Sequence, residues 1–497
     1  VKPALLVAVL LSFVVLTSLP TLPAFSAMGH DSGIFALGGR MLGEGKVPYR
    51  DFWDHKPPMV FVFDGLGLAT GLGRLGIWLV ELAFVASGLA AFFLALDRRL
   101  GTIAAACGAI FFALTLRQET LYQGGNQLEV YTAALSLGVL AVAIRQPAGL
   151  GWWVLAGVLS GLNGMTKPST FGVPVAVGLS LLADFRAKPG RIPAFVGGGA
   201  IVVASVLVWL AAEGVLRDFW SANIDYSSLY VAHVSRQEDI GPVGSSALIA
   251  WLLAKQLLVP TLAVVACGLV LVSRRDPGPE PRRMLAAIML LGLAGDLALA
   301  YVPRRFYGHY LIAILPSLSL GVALLASAAM ELFPKRRLAA ALPALLLSVA
   351  PLVGVIGLAL GARRVPAGDP SVLEALARTP ADRPIFIWGA QTQYYFLAER
   401  SPPTRYVFLY PLQMPGYGSP ARTAELLSDL ERRPPSVILD ASPKDDSVVP
   451  SIRAKGPTHP WALSGYEYVA FDTLYAWIEK HYARKTLENG WDLYIER

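Results

Sequence analysis

The chain has 497 residues, 55% of them hydrophobic and only 15% charged, and its mean hydropathy of +0.53 excludes a soluble protein of ordinary composition. The formal charge of +7 sits in short basic clusters between apolar stretches, which is a pattern of membrane topology and not of nucleic-acid binding. Cys107 and Cys267 both lie within apolar runs, so neither a disulfide framework nor a thiolate metal site is indicated.

A membrane-spanning helix needs about 20 mostly apolar residues. Eleven stretches are candidates, at 4–25, 76–96, 102–116, 128–144, 151–166, 171–184, 192–213, 248–273, 285–301, 309–330 and 338–361. The first has a basic start at Lys2 and ends in Ala24-Phe25-Ser26-Ala27, a pattern that also fits a signal peptide. The segment 58–73 is apolar but is interrupted by Asp64 and several glycines, which predicts an interfacial or re-entrant helix instead of a span.

With a cytoplasmic N-terminus, the loops bearing Arg98-Arg99, Arg145, Arg186 with Lys188 and Arg191, Arg274-Arg275 with Arg282-Arg283, and Lys335-Arg336-Arg337 all fall inside. That is the positive-inside pattern in every loop of one side. Residues 26–75, 117–127, 165–170, 214–247 and 302–308 then lie outside, with everything after 362. From Arg363 onward the composition is that of a soluble domain. Ile385-Phe386-Ile387-Trp388-Gly389 and Ser436-Val437-Ile438-Leu439-Asp440 read as buried strands, with amphipathic helices at 371–378, 421–432 and 471–485. The expectation is an all-α membrane domain over 1–362 and an extracytoplasmic α/β domain over 363–497, in a multi-pass protein of a bacterial inner (plasma) membrane.

The first outer loop is the most informative stretch: Gly29-His30-Asp31-Ser32-Gly33, then Gly43-Glu44-Gly45-Lys46-Val47-Pro48-Tyr49-Arg50-Asp51-Phe52-Trp53-Asp54-His55-Lys56-Pro57-Pro58. An acid just past the end of a span sits at the membrane–water boundary, within reach of a lipid-linked phosphate and of a water-soluble acceptor. That position suits a general base. The plainer reading is that Asp31 caps a helix over 34–42.

The acid after the first span, the Gly-x-x-Pro-Tyr turn and the Lys-Pro-Pro ending together resemble family 39 glycosyltransferases of the GT-C fold, among them protein O-mannosyltransferases and lipid A aminoarabinose transferases. Thr166-Lys167-Pro168, Arg304-Arg305-Phe306-Tyr307-Gly308-His309-Tyr310 and Trp388-Gly389 agree with it in order along the chain. The resemblance implies a GT-C membrane domain and a polyprenyl-phosphate sugar donor. It assigns Asp31 the catalytic role and Lys56 the donor phosphate, and makes Glu129 the best second acid, with Glu119 as the alternative. The family usually has Asp-Glu where this chain has Asp31-Ser32. A divalent cation is therefore allowed but not required.

Breaking a sugar–phosphate bond builds negative charge on the departing phosphate, and fixed cations stabilise it. Lys56, Lys167, Arg304 and Arg305 all map to the outer side as such cations, while Tyr49, Asp54, His55, His309 and Tyr310 are candidate lining of the substrate pocket. The alternative for each basic residue is snorkelling to lipid headgroups. No nucleotide-binding loop and no His-Glu-x-x-His zinc motif is present, and the histidine spacing matches no standard metal site. The expected reaction is an inverting single displacement onto an acceptor hydroxyl of a lipid, glycan or protein. The alternatives are a lipid or polysaccharide transporter, whose midplane charges and repeated halves the sequence lacks, and a non-catalytic scaffold on the same fold.

Overall fold

The computed structural model describes residues 3–237, 257–273, 280–303, 307–442, 449–455 and 471–497. The chain forms two compact units, each assembled from separated segments: Val1–Leu22, Trp78–Val208 and Pro242–Arg363 in the first, Pro23–Ile77, Trp209–Gly241 and Arg364–Arg497 in the second. The second unit therefore joins the C-terminal segment to two stretches that precede it by more than a hundred residues.

The first unit is helical. Thr102–Leu116 packs against Leu315–Leu332 and Arg337–Val349, Leu128–Arg145 against Leu150–Gly164, and Gly172–Ala183 against Glu280–Tyr301. Phe92, Phe111, Phe112, Trp153 and Leu318 fill the core between them. Elsewhere large apolar side chains face outward: Val208 is 67% exposed, Leu338 75% and Leu360 82%. Such surface is stable only against lipid.

Among the described residues, seven helices are long and apolar enough to cross a membrane: Ala4–Phe25, Arg74–Leu100, Leu128–Arg145, Arg191–Ala212, Arg282–Tyr301, Gly308–Leu332 and Pro334–Gly361. The stretches read from sequence at 102–116, 151–166 and 171–184 are helices of 15, 15 and 12 residues. The stretch at 338–361 is interrupted at Ala350-Pro351, where Pro351 has no backbone N–H to continue the ladder. Of 248–273, Leu258–Ser273 is a helix and the remainder lies outside the described residues.

The second unit holds a four-stranded sheet in which Ile385–Trp388 (β1), Val437–Asp440 (β2), Asp492–Glu496 (β4) and Tyr482–Thr486 (β3) lie side by side in that order. Strands β1 (Ile385–Trp388) and β2 (Val437–Asp440) are parallel and wholly buried, as their unbroken apolar runs require. Pro420–Arg432 connects them and starts on Ser419, whose hydroxyl accepts from the Arg422 backbone N–H at 3.3 Å, with proline at the next position. The helix expected over 471–485 stops at His481. Tyr482–Thr486 is instead β3, paired with β4 (Asp492–Glu496) across a turn. Its exposed residues include Arg484 and Lys485, charges that discourage further pairing at a sheet edge.

Helix His30–Gly43, which carries Asp31, is fastened at both ends by the C-terminal segment. The Thr392 hydroxyl donates to the His30 carbonyl at 2.9 Å, and Arg40 donates to the carbonyls of Tyr395 at 3.2 Å and Arg400 at 2.7 Å. Close approach is possible because position 33 is glycine; a Cβ there would stand 2.4 Å from the Gln393 Cα. Gly33→Ala is thus expected to cost about 1–3 kcal/mol and to lower the thermal midpoint in detergent. Gly43→Ala on the same helix, where a Cβ meets nothing within 4 Å, is the control expected to leave it unchanged.

Candidate active site

Asp31 lies in the first turn of its helix, 35% exposed, with its Oδ1 3.2 Å from His30 Nε2. It is not the cap. Gly29, which has no side chain to cap with, occupies that position. The helix begins at His30, earlier than the 34–42 read from sequence. A carboxylate in the first turn is favoured by the unpaired N–H groups and the helix dipole.

In the same unit the loop before Met59–Leu68 buries Asp54 completely, with Oδ1 accepting from the His55 backbone N–H at 2.6 Å and from Lys56 Nζ at 3.4 Å. Burial pushes the Asp54 carboxyl above the usual carboxylate range; the Lys56 charge opposes the shift and the Asp31 charge adds to it. Tyr49 sets this turn with φ of 70°, and its hydroxyl donates to the Lys56 carbonyl at 2.8 Å. Lys56 Nζ also stands 5.2 Å from the centre of the Phe35 ring, one turn along the helix from Asp31. Asp31, Asp54, His55 and Lys56 are thus brought together. His55 faces an aromatic group of Trp53, Tyr226 and Tyr230.

The first unit holds a separate set. Glu129, buried in the first turn of Leu128–Arg145, accepts a charge-assisted hydrogen bond from Lys167 Nζ. His309 Nε2 is 3.9 Å from the same Glu129 oxygen, and the Lys167 ammonium lies 4.2 Å over the Tyr310 ring. Lys167 is held in a turn by Asn163, whose carbonyl accepts from the Lys167 N–H at 2.9 Å and whose amide reaches Thr132 and Ser136 on the facing helix. Glu129, Lys167, His309 and Tyr310 therefore form one group. Arg304 and Arg305 lie outside the described residues. Among the described residues, no three His, Cys, Asp or Glu side chains are grouped to hold a metal ion.

No protein-family model and no curated protein matches the sequence. Solved structures do. ArnT from Cupriavidus metallidurans bound to undecaprenyl phosphate aligns with a TM-score of 0.58 at 13% identity, over 98% of this chain and 97% of that one. Its apo state gives 0.57 at 14% identity, over the same shares. The oligosaccharyltransferase of Archaeoglobus fulgidus, tethered with an acceptor peptide containing the NVT sequon, gives 0.52 at 12% identity over 99% of this chain and 74% of that one. The chain has the GT-C fold.

Within this GT-C chain, sequence reasoning passed over a third polar group. Glu81, Arg117 and Tyr122 are 1%, 2% and 3% exposed and joined by hydrogen bonds. The signal was available: Glu81 is the one acid in the apolar stretch 76–96, where an unpaired charge is costly. The aromatic partners of His55 at Tyr226 and Tyr230 were also missed, because they lie some 170 residues further along the chain.

Proposed function

We propose that the protein is a membrane glycosyltransferase that moves a sugar from a polyprenyl-phosphate carrier to an acceptor hydroxyl on the extracytoplasmic face. The observation that carries this reading is the partly exposed Asp31 beside the buried Asp54–Lys56 pair, in a chain with the GT-C fold. That ArnT was solved with undecaprenyl phosphate supports a carrier of this class. In the proposed step the acceptor oxygen bonds to the anomeric carbon as that carbon's bond to the phosphate oxygen breaks. The bonding pair leaves with the phosphate, and the acceptor proton passes to Asp31. Attack opposite the leaving group inverts the anomeric configuration. Lys56 steadies the phosphate. Orientation and preorganised charge account for most of the acceleration.

Purified protein incubated with a panel of polyprenyl-phosphate sugars and candidate acceptors, with products read by mass spectrometry, tests the reading. A glycosylated acceptor that wild type forms and Asp31→Asn does not is the expected result; no product from any donor would sink it. The side of the membrane is tested separately. In a cysteine-free background, Glu374→Cys and Lys485→Cys, both exposed, are expected to react with an impermeant maleimide from outside. Arg98→Cys and Lys335→Cys are expected to react only after permeabilisation.

A further inference from the structure

The buried Glu81 group touches the loop that leads to Glu129. Glu81 Oε1 accepts from the Tyr122 hydroxyl at 2.7 Å and from an Arg117 guanidinium nitrogen at 3.3 Å, and Oε2 accepts from the Asn126 backbone N–H at 3.0 Å. The Arg117 guanidinium also lies 4.9 Å over the Tyr122 ring. Between Tyr122 and Gln127, four successive residues are left-handed: Gln123 (φ 46°), Gly124 (84°), Gly125 (88°) and Asn126 (54°). Two of these carry side chains: asparagine tolerates the region at 126, whereas Gln123 holds it only where its surroundings over-determine it. At the start of the loop Gln123 Oε1 lies 2.6 Å from His309 Nδ1. With Nδ1–H donated to the amide oxygen, Nε2 is the ring atom turned to Glu129, 3.9 Å away. One carboxylate thus holds both ends of a strained loop whose first side chain sets the histidine beside the acid.

We propose that Glu81 is a positioning residue for the Glu129 group, acting through the loop Gln123–Asn126 on the ring of His309. This rests on the proposed function in so far as Glu129 and His309 serve transfer. Arg117 donates to the same Glu81 oxygen as the Tyr122 hydroxyl and so holds the carboxylate in register with the loop.

The test uses the full-length protein in nanodiscs with Glu81→Gln, Gln123→Ala, the two combined, and Gln123→Glu, which retains an acceptor oxygen. Gln123 is exposed, so Gln123→Ala keeps its fold even if Glu81→Gln does not. Two readouts need no substrate. Hydrogen exchange over residues 118–130 is expected to speed up in Glu81→Gln, and modification of His309 by diethylpyrocarbonate, mapped by mass spectrometry, is expected to rise several-fold in Gln123→Ala with recovery in Gln123→Glu. Transfer, with whichever donor the wild type uses, is expected to fall about tenfold or more in each single variant. The double variant is expected to be no worse than the poorer single one, since both substitutions break one chain of contacts. Unchanged His309 reactivity in Gln123→Ala, or single-variant losses that multiply in the double, would overturn the inference. Wild type inactive on every donor would defeat the proposed function, while exchange and histidine modification would still decide the positioning role.

Discussion

Asp31→Asn is expected to lower the single-turnover rate of transfer by about 100-fold or more, the least that loss of general-base catalysis removes, while donor binding stays close to that of wild type. The asparagine fills nearly the same space in the first helical turn but cannot take the acceptor proton. The helix should survive the change, since Asp31 does not cap it and its anchors are Thr392, Arg40 and the Gly33 contact. Binding of a polyprenyl-phosphate sugar measured beside single-turnover transfer separates the two effects. Near-normal transfer would remove Asp31 from the chemistry and leave Glu129 as the next candidate base. A fall in donor affinity as large as the fall in rate would show instead that Asp31 organises the pocket or holds a cation there.

Lys56→Ala is expected to weaken donor binding and turnover together, because a cation on the phosphate acts in the ground state and the transition state alike. The structure adds a second consequence. Lys56 is the cation paired with the wholly buried Asp54, and removing one partner of a buried ion pair costs about 3–5 kcal/mol by leaving the other charge uncompensated. A bare loss of activity in Lys56→Ala therefore has two causes. The double variant Lys56→Ala with Asp54→Asn removes both charges. It is expected to recover the thermal midpoint toward that of wild type without recovering donor binding. Recovery of binding along with stability would show that Lys56 serves the fold of the loop and not the phosphate.

The presence of several membrane helices, the α/β character of the C-terminal segment and strands β1 and β2 could all be read from the chain. Each depends on a local property: runs of about 20 apolar residues for a span, or an apolar run of strand length ended by turn residues. Asp31 and Lys56 could be singled out as candidates, since both stand in the short motif-bearing segment after the first apolar stretch. β3 was not. Tyr482-Ala483-Arg484-Lys485-Thr486 continues an amphipathic helix well enough, and only pairing with β4 makes it a strand.

The sequence alone thus determined that the chain is a multi-span membrane protein with an α/β segment, and which charged residues lie outside the apolar runs. Hydropathy and charge act residue by residue, so no partner is needed to read them. Tertiary structure alone decided that 23–77 and 209–241 join 364–497 in one compact unit, that Lys56 faces Asp54 while Lys167 faces Glu129, and that Glu81 reaches the loop before Glu129. Those are contacts between groups far apart in the chain or turned toward each other by one particular loop conformation. The energy of a buried charge depends on which partner the fold brings to it, and no local pattern records that choice.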